Sequence, residues 1–498
     1  MIPENCMSRR DWMNSVSVIG LGAAGCVLAS GDRPAGTADV AEIGTRRQLF
    51  VDDWLIETSD GVRRRLHQPE KAQDGEPVLL LDRSWEESGT PILGTVMREG
   101  ERFRMWYRGG GSGPRGGVWC YAESDDGVVW NKPDLNLIEY GGSSQNNIYV
   151  LGQPQAYTPF IDPNEPDASR RFKSAVNSLR IDTALAHSPD GLRWTEYRDG
   201  AAITGRASDT ISQVLWDSVA RVYRLYTRTD YGTAETGEVR GTRDMVAAAD
   251  ADLSDPDSWK TVREWCLGWE RGDDDYHRQR QLYSVNGWMY EGVQHALIWA
   301  LETGEGETMN AYMATARDES PWNLEWIYGD QRLIARGEEG RFDCRWIQPA
   351  PNIVTWNDQH WLYYAGQARS HDGTWSPRLS GPGAGIGLAR IRRDGFFSLS
   401  CGSGGGSITT RALRFEGQRI TINCTTRAQG SVRVELQDAR GAPIPGFTLA
   451  DCMATSGDAL DQPVMWKQGG DVSQLAGLPC RLRFALEDAD LYSFRFTD

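Results

Sequence analysis

Tyr121-Ala122-Glu123-Ser124-Asp125-Asp126-Gly127-Val128-Val129-Trp130 recurs as Ala184-Leu185-Ala186-His187-Ser188-Pro189-Asp190-Gly191-Leu192-Arg193-Trp194. Both read as a strand of small residues, a Ser-x-Asp-Gly turn and then a tryptophan. Weaker copies run through 248–259, 314–326 and 389–396, so the starts fall at 122, 186, 248, 314 and 389. Internal similarity at a period near 65 residues is the mark of a repeat architecture. An aromatic, alternating strand precedes most copies: Phe103-Arg104-Met105-Trp106-Tyr107-Arg108, Val222-Tyr223-Arg224-Leu225-Tyr226-Thr227 and Trp361-Leu362-Tyr363-Tyr364-Ala365, with Gly287-Trp288-Met289-Tyr290-Glu291-Gly292 opening the fourth. Each unit holds most of a four-stranded antiparallel blade. Five such units predict an all-β chain with a five-bladed β-propeller over 45–400. In this reading Asp126, Asp190 and Trp194 make turns and packing contacts and are not site candidates.

Gly402-Ser403-Gly404-Gly405-Gly406-Ser407 reads as a linker. Short alternating strands follow it, among them Arg419–Asn423, Val432–Leu436 and Arg481–Leu486. They predict a C-terminal β-sandwich over 408–498. The chain has 498 residues, with 20 Trp, 55 Gly and 22 Pro, in keeping with a turn-rich all-β protein. A net charge of −16 disfavours a nucleic-acid partner. Nine cysteines without a Cys-x-x-Cys pair argue against structural zinc and a disulfide scaffold. Those beyond Cys26 are expected to be buried free thiols.

Residues 1–30 read as an export signal. Arg9-Arg10 precedes the uncharged run Val16–Leu28, which resembles a twin-arginine signal. The expected location is periplasmic or extracellular. A lipid anchor at Cys26, after Ala23-Ala24-Gly25, is a weaker alternative, and a plain amino-terminal tail is another. No other apolar run approaches 18 residues, so no membrane span is expected.

In a propeller the innermost strands surround an axial funnel, so acids at their starts converge although they lie far apart in sequence. One acid per repeat suits this: Asp52 or Asp53 in Leu49–Leu55, Asp162 before Pro163, Asp209 in Ala207–Ser212, Glu291 after Tyr290, and Asp343 in Arg341–Arg345. Paired carboxyl groups with divergent pKa values are what glycosidic cleavage needs. Trp54, Tyr107, Trp216 and Tyr290 are candidate platforms for sugar rings. Arg345 and Gln348 are candidate hydrogen-bond partners of sugar hydroxyls, and His277 and His371, rare histidines beside charged residues, are candidates for substrate or metal contact, with a surface hydrogen bond as the alternative. No cofactor is expected. Asp273-Asp274-Asp275 offers oxygens of the kind a structural Ca2+ takes, with a solvated charge run as the alternative.

At these residues the chain resembles the clan of five-bladed propeller glycoside hydrolases that includes invertases, fructan hydrolases and arabinofuranosidases or xylosidases, specifically a bacterial invertase-related branch. Arg47–Asp53, Arg102–Gly110, Cys120–Trp130, Asn146-Asn147-Ile148 and Asp451–Phe496 carry the resemblance. It implies a nucleophile or base at Asp52 or Asp53, a transition-state stabiliser at Asp162 or Asp209, and a proton donor at Glu291. The first blade has no Asn-Asp-Pro-Asn-Gly run, so fructoside specificity is not implied. The expectation is an exported glycoside hydrolase acting on a plant or algal oligosaccharide or polysaccharide. A glycoside phosphorylase on the same fold is one alternative; a propeller that binds glycans without catalysis is the other.

Overall fold

A computed structural model describes residues 40–86, 90–110, 117–152, 158–177, 182–204, 211–233, 237–267 and 280–498. The export segment, Asp209, His277 and the Asp273–Asp275 run lie outside them. The described chain is all-β; its one α-helical turn is Glu325–Tyr328. No described helix is long and apolar enough to cross a membrane. The chain divides into two compact units, residues 68–391 and residues 40–67 with 392–498.

The first unit contains three four-stranded antiparallel sheets and one sheet of nine strands. The four-stranded sheets run through Ile92–Glu99, Arg102–Gly110, Val118–Ser124 and Ile148–Leu151; through 160–196; and through Gln213–Asp217, Val222–Thr233, Gly237–Ala248 and Lys260–Cys266. The nine-stranded sheet joins Arg280–Tyr290, Val293–Glu302 and Thr308–Ala316 to Trp346–Pro349, Gln359–Gln367 and Ala384–Arg392. Its far edge is completed by the early segments Glu70–Lys71 and Leu79–Leu80.

The repeated turns are contact points between sheets. Asp126 Oδ1 accepts the backbone N–H groups of Val128 and Val129, each at 2.8 Å, and Asp190 does the same for Leu192 and Arg193. Gly127 and Gly191 adopt φ of 72° and 79°, the left-handed region that suits glycine. Each also accepts a hydrogen bond from an aromatic side chain of another sheet: Tyr363 Oη to Gly127 O at 2.7 Å, and Trp106 Nε1 to Gly191 O at 2.7 Å. A Cβ on either glycine would stand 2.7 to 2.8 Å from that aromatic. The Ser-x-Asp-Gly signature thus records a seat for the neighbouring sheet.

Amide side chains make further ties. Gln348 Oε1 accepts from Leu93 N at 2.6 Å while its Nε2 donates to Leu93 O at 3.1 Å. Asn352 treats Val96 in the same way, at 3.2 and 2.7 Å, and Gln213 Nε2 donates to Pro351 O at 2.8 Å.

The second unit is one ten-stranded sheet around the long strands Arg419–Asp438 and Cys480–Thr497, whose register slips between Thr426 and Ser431. Here the structure departs from the sequence reading in two ways. Residues 45–66, expected in the propeller, pair through 48–49, 56–60 and 63–66 with 493–494, 407–410 and 397–400 instead. The reason is burial: Leu49, Phe50 and Leu55 are interior, and Phe50 packs against Phe484 and Phe494 at 6.1 and 5.9 Å. The expected Gly-Ser linker is instead a turn at 402–405 between two strands of this sheet, and its end is in the sheet, where Gly406 pairs with Leu486 and Ser407 with Asp60. Its glycines serve close backbone approach, since a Cβ on Gly406 would stand 2.8 Å from Gly61. Of the described cysteines, 120, 344, 401, 424, 452 and 480 are free and buried as expected, whereas Cys266, expected to be a free thiol, is disulfide-bonded.

Gln348→Leu removes both hydrogen bonds to Leu93 and leaves its N–H and C=O buried without partners. A loss of about 2 to 4 kcal/mol is expected in denaturant unfolding of the whole chain. His67 bonds Ser398 Oγ at 2.7 Å, and burial pushes its imidazole below the usual 6.5, against the opposing pull of Asp490. The unfolded chain therefore takes up this proton first, so stability falls as pH drops through 6.5 towards the lowered folded value. Denaturation midpoints between about pH 5 and 7.5 should show that slope, and His67→Gln should flatten it.

Candidate functional site

Asp343 lies three residues before the strand Trp346–Pro349, on a loop, and three glycines make space for it and for the neighbouring Tyr364. A Cβ on Gly337 would stand 2.2 Å from Asp343 Oδ1, and one on Gly366 would stand 2.6 Å from its Cβ. On Gly387 an added Cβ would meet the Tyr364 ring at 2.2 Å. These positions leave room for the carboxylate and for the ring beside it. Phe342 stacks on Tyr364 with centroids 6.2 Å apart.

The carboxylate is buried. Its Oδ2 accepts from Lys71 Nζ at 2.6 Å and from Tyr364 Oη at 2.9 Å, whereas Oδ1 is buried without a hydrogen-bond partner. Burial, with the Asp343 charge added, pushes the Tyr364 phenol far above its usual range, so it stays a donor. An unsatisfied carboxylate oxygen costs free energy and calls for an explanation, a ligand or water among them. Asp343 borders a cavity of about 430 Å³, lined also by Lys71, Asp74, Arg336, Glu338 and Arg341. That size falls in the roughly 300 to 1,000 Å³ of small-ligand sites. Its three cations and three carboxylates balance, which suits a neutral, hydroxyl-rich ligand. Arg341 is held at the mouth by Asp74 O and by Glu76 at 2.8 Å.

A second group of side chains lies at the same end of the nine-stranded sheet. His371 bridges Glu307 Oε2 at 3.1 Å and Tyr283 Oη at 2.9 Å, and it stacks on Trp346. The Arg228 guanidinium lies 5.4 Å from the Tyr283 ring centroid. Arg345 pairs with Glu339 at 2.9 Å, and Ser376 also donates to Glu339.

Other expected site residues are placed elsewhere. Glu291 and Gly292 form a two-residue hairpin turn between paired Tyr290 and Val293, at φ of 50° and 75°. The register Arg280 to Glu302, Glu302 to Thr308 and Met309 to Trp346 puts the Asp343 loop at the opposite end of that sheet. Ten residues of strand at about 3.3 Å each separate the two, roughly 30 Å. Tyr290 packs edge-on against His360 at 4.9 Å beside that turn. Asp52, Asp53 and Trp54 belong to the second unit: Asp52 Oδ1 accepts from Trp54 N at 3.1 Å, Asp53 pairs with Arg64, and Trp54 faces Arg411. These are turn acids. Asp162 is buried and taken up by Lys173 and by Tyr223 Oη at 2.8 Å. Tyr107 is wholly buried and donates to Glu86 at 2.5 Å; Gln348 is the tie to Leu93 described above; Trp216 packs at a tilt against Tyr223, with centroids 4.9 Å apart. The cavity wall holds none of the aromatic platforms expected. Lys71 and Tyr364 were missed because only pairing across the sheet brings them to Asp343, whereas Arg336 and Glu338 share its loop but carry no repeat signal of their own. Among the described residues no three His, Cys, Asp or Glu side chains gather as a metal site would require.

No protein-family model matches the chain, and no curated protein matches it in sequence. Solved structures are similar at low level, among them the following three. One is a glycoside hydrolase at 14% identity, covering 66% of this chain and 94% of that one with a TM-score of 0.43. The catalytic domain of a Coprinopsis cinerea GH62 α-L-arabinofuranosidase gives 10%, 65%, 97% and 0.41. An α-L-arabinofuranosidase from Podospora anserina, in complex with cellotriose, gives 11%, 66%, 98% and 0.40. At this level the likeness assigns neither residue nor substrate.

Gly337→Ala tests whether the space beside Oδ1 matters. The added methyl should displace the Asp343 carboxylate and lower stability by about 1 to 3 kcal/mol, while Glu338→Gln on the open side of the cavity should leave stability within about 0.5 kcal/mol. Thermal unfolding of both variants measures the difference.

Proposed function

We propose that this chain is a glycan-active enzyme, a glycoside hydrolase whose carboxylate site is built on a five-bladed propeller with a β-sandwich beside it in sequence. The observation that carries the reading is Asp343: a buried carboxylate, paired through one oxygen with Lys71, its other oxygen unsatisfied, at the wall of a charge-balanced polar cavity. The propeller reading is supported by a circuit of contacts. Trp106 reaches Gly191, Thr158 bonds Ser212 O, Trp322 bonds Asp244, Met309 pairs with Trp346, and Gln348 returns to Leu93. The pairing of 70–71 and 79–80 with 384–392 would close such a ring with its own early segment. The sandwich reading draws on the long, slipped strands and the single large core of the second unit. Export through residues 1–30 remains part of the proposal.

The ion pair with Lys71 fits Asp343 for the base or nucleophile. As a base it would take a proton from water while the hydroxyl oxygen attacks the anomeric carbon; a second carboxyl would protonate the departing oxygen. Glu338 and Asp74 share the cavity and are the candidates for that proton. The cations Lys71, Arg336 and Arg341 favour one alternative, a phosphorylase in which inorganic phosphate replaces water.

Purified protein incubated with a polysaccharide and aryl-glycoside panel, with and without phosphate, separates the two. Release of free sugar without phosphate indicates hydrolysis; sugar phosphate formed only with phosphate indicates phosphorolysis. Asp343→Asn should lower turnover by about 10² to 10⁴. Full activity in Asp343→Asn would remove Asp343 from the chemistry.

A further inference from the structure

We propose that Trp375 is an outer sugar-binding platform, stacking on a unit of the glycan chain remote from the bond that is broken. The inference rests on the glycan-active reading and names how that site would hold a longer substrate. Trp375 is 50% exposed, the only large aromatic so exposed among the described residues of the first unit. Leaving such a ring in water forgoes burial free energy, so packing does not require its position.

Its surroundings hold the ring without covering it. Trp375 bridges Arg369 across a short hairpin, Ser370 N donates to Thr374 O at 2.9 Å, and Asp372 Oδ1 accepts from Thr374 N at 2.9 Å. The Arg369 guanidinium lies 5.9 Å from the ring centroid and is itself anchored to Gly373 O at 3.0 Å. Gly383 lies against the ring edge, where a Cβ would stand 2.7 Å from Cζ3. A flat, half-wet, positionally fixed indole is suited to the apolar face of a pyranose, whose hydroxyls stay in water.

The same hairpin is braced on the loop that carries Asp343. Ser376 donates to Glu339, Glu339 pairs with Arg345, and Ser380 N donates to Gly340 O at 3.3 Å. At Gly340 a Cβ would stand 2.6 Å from Arg378 O, so the two loops touch through backbone. His371, on this hairpin, ties it to the neighbouring strands through Glu307 and Tyr283. The ring is therefore set in fixed relation to Asp343.

The test uses the whole chain and Trp375→Ala, with Trp375→Phe as the conservative variant and circular dichroism as the check of folding. Native gels cast with arabinoxylan, galactomannan or pectin report binding without catalysis. Wild type should be retarded in at least one, Trp375→Ala should migrate as in a blank gel, and Trp375→Phe should lie between. On whichever substrate the panel identifies, the ratio of kcat/KM for long over monosaccharide aryl substrates should fall about tenfold in Trp375→Ala. Retardation of wild type in none of the gels, or equal retardation of wild type and Trp375→Ala, overturns the platform. Retardation that depends on Trp375 in a protein inactive on every glycoside overturns the enzyme reading and leaves the platform standing.

Discussion

Two amide side chains, Gln348 and Asn352, complete backbone hydrogen bonding for a strand that is not their own. Each presents an acceptor and a donor to one residue, Leu93 or Val96, as a neighbouring strand would. The strand Ile92–Glu99 is the edge of its four-stranded sheet, and an edge in the interior would otherwise carry unpaired groups. The tie also fixes function. Gln348 stands five residues after Asp343, so the sheet-to-sheet lock and the candidate carboxylate share one short stretch of chain.

Acidic residues in this molecule divide by what their oxygens are given. Asp126 and Asp190 are filled by backbone N–H groups of their own turns, and at Asp126 these outweigh burial and hold the carboxyl below its usual range. Asp162 is filled by Lys173 and Tyr223, and Glu86 by Tyr107, Lys132 and the Arg83 N–H. Asp244, in contrast, is held above its range by burial, despite Arg263 and Trp322, and it sits between sheets away from the cavity. Asp343 combines a cation, a phenol, an unsatisfied oxygen and a cavity. A carboxylate with all its lone pairs taken has little capacity left for chemistry. Asp343 retains some.

Glycine does much of the spacing around that site. At Gly337, Gly366 and Gly387 the missing Cβ is the space into which Asp343 and Tyr364 fit. At Gly127 and Gly191 it is the seat for an aromatic of another sheet. In each place a methyl would contest volume already occupied by a polar or aromatic group, where overpacking is costly.

The sequence by itself determined the all-β character, the period near 65 residues and the structural role of the Asp-Gly turns. These are local facts: alternation of two, a turn that demands left-handed glycine and a small-residue strand are written in adjacent positions. It also put Asp343, Arg345 and His371 among the candidates. Tertiary structure decided the partners. Residues 41–66 look like any alternating strands, and only a shared core with Phe484 and Phe494 sends them to the second unit. Glu291 follows an aromatic strand, as an inner-strand acid should, but strand direction carries it to the far end of the sheet from Asp343. Lys71 and Tyr364 meet that carboxylate from 272 and 21 residues away. Pairing of that kind is a property of which surfaces bury against one another, and a strand's sequence names the face it buries without naming the strand beside it.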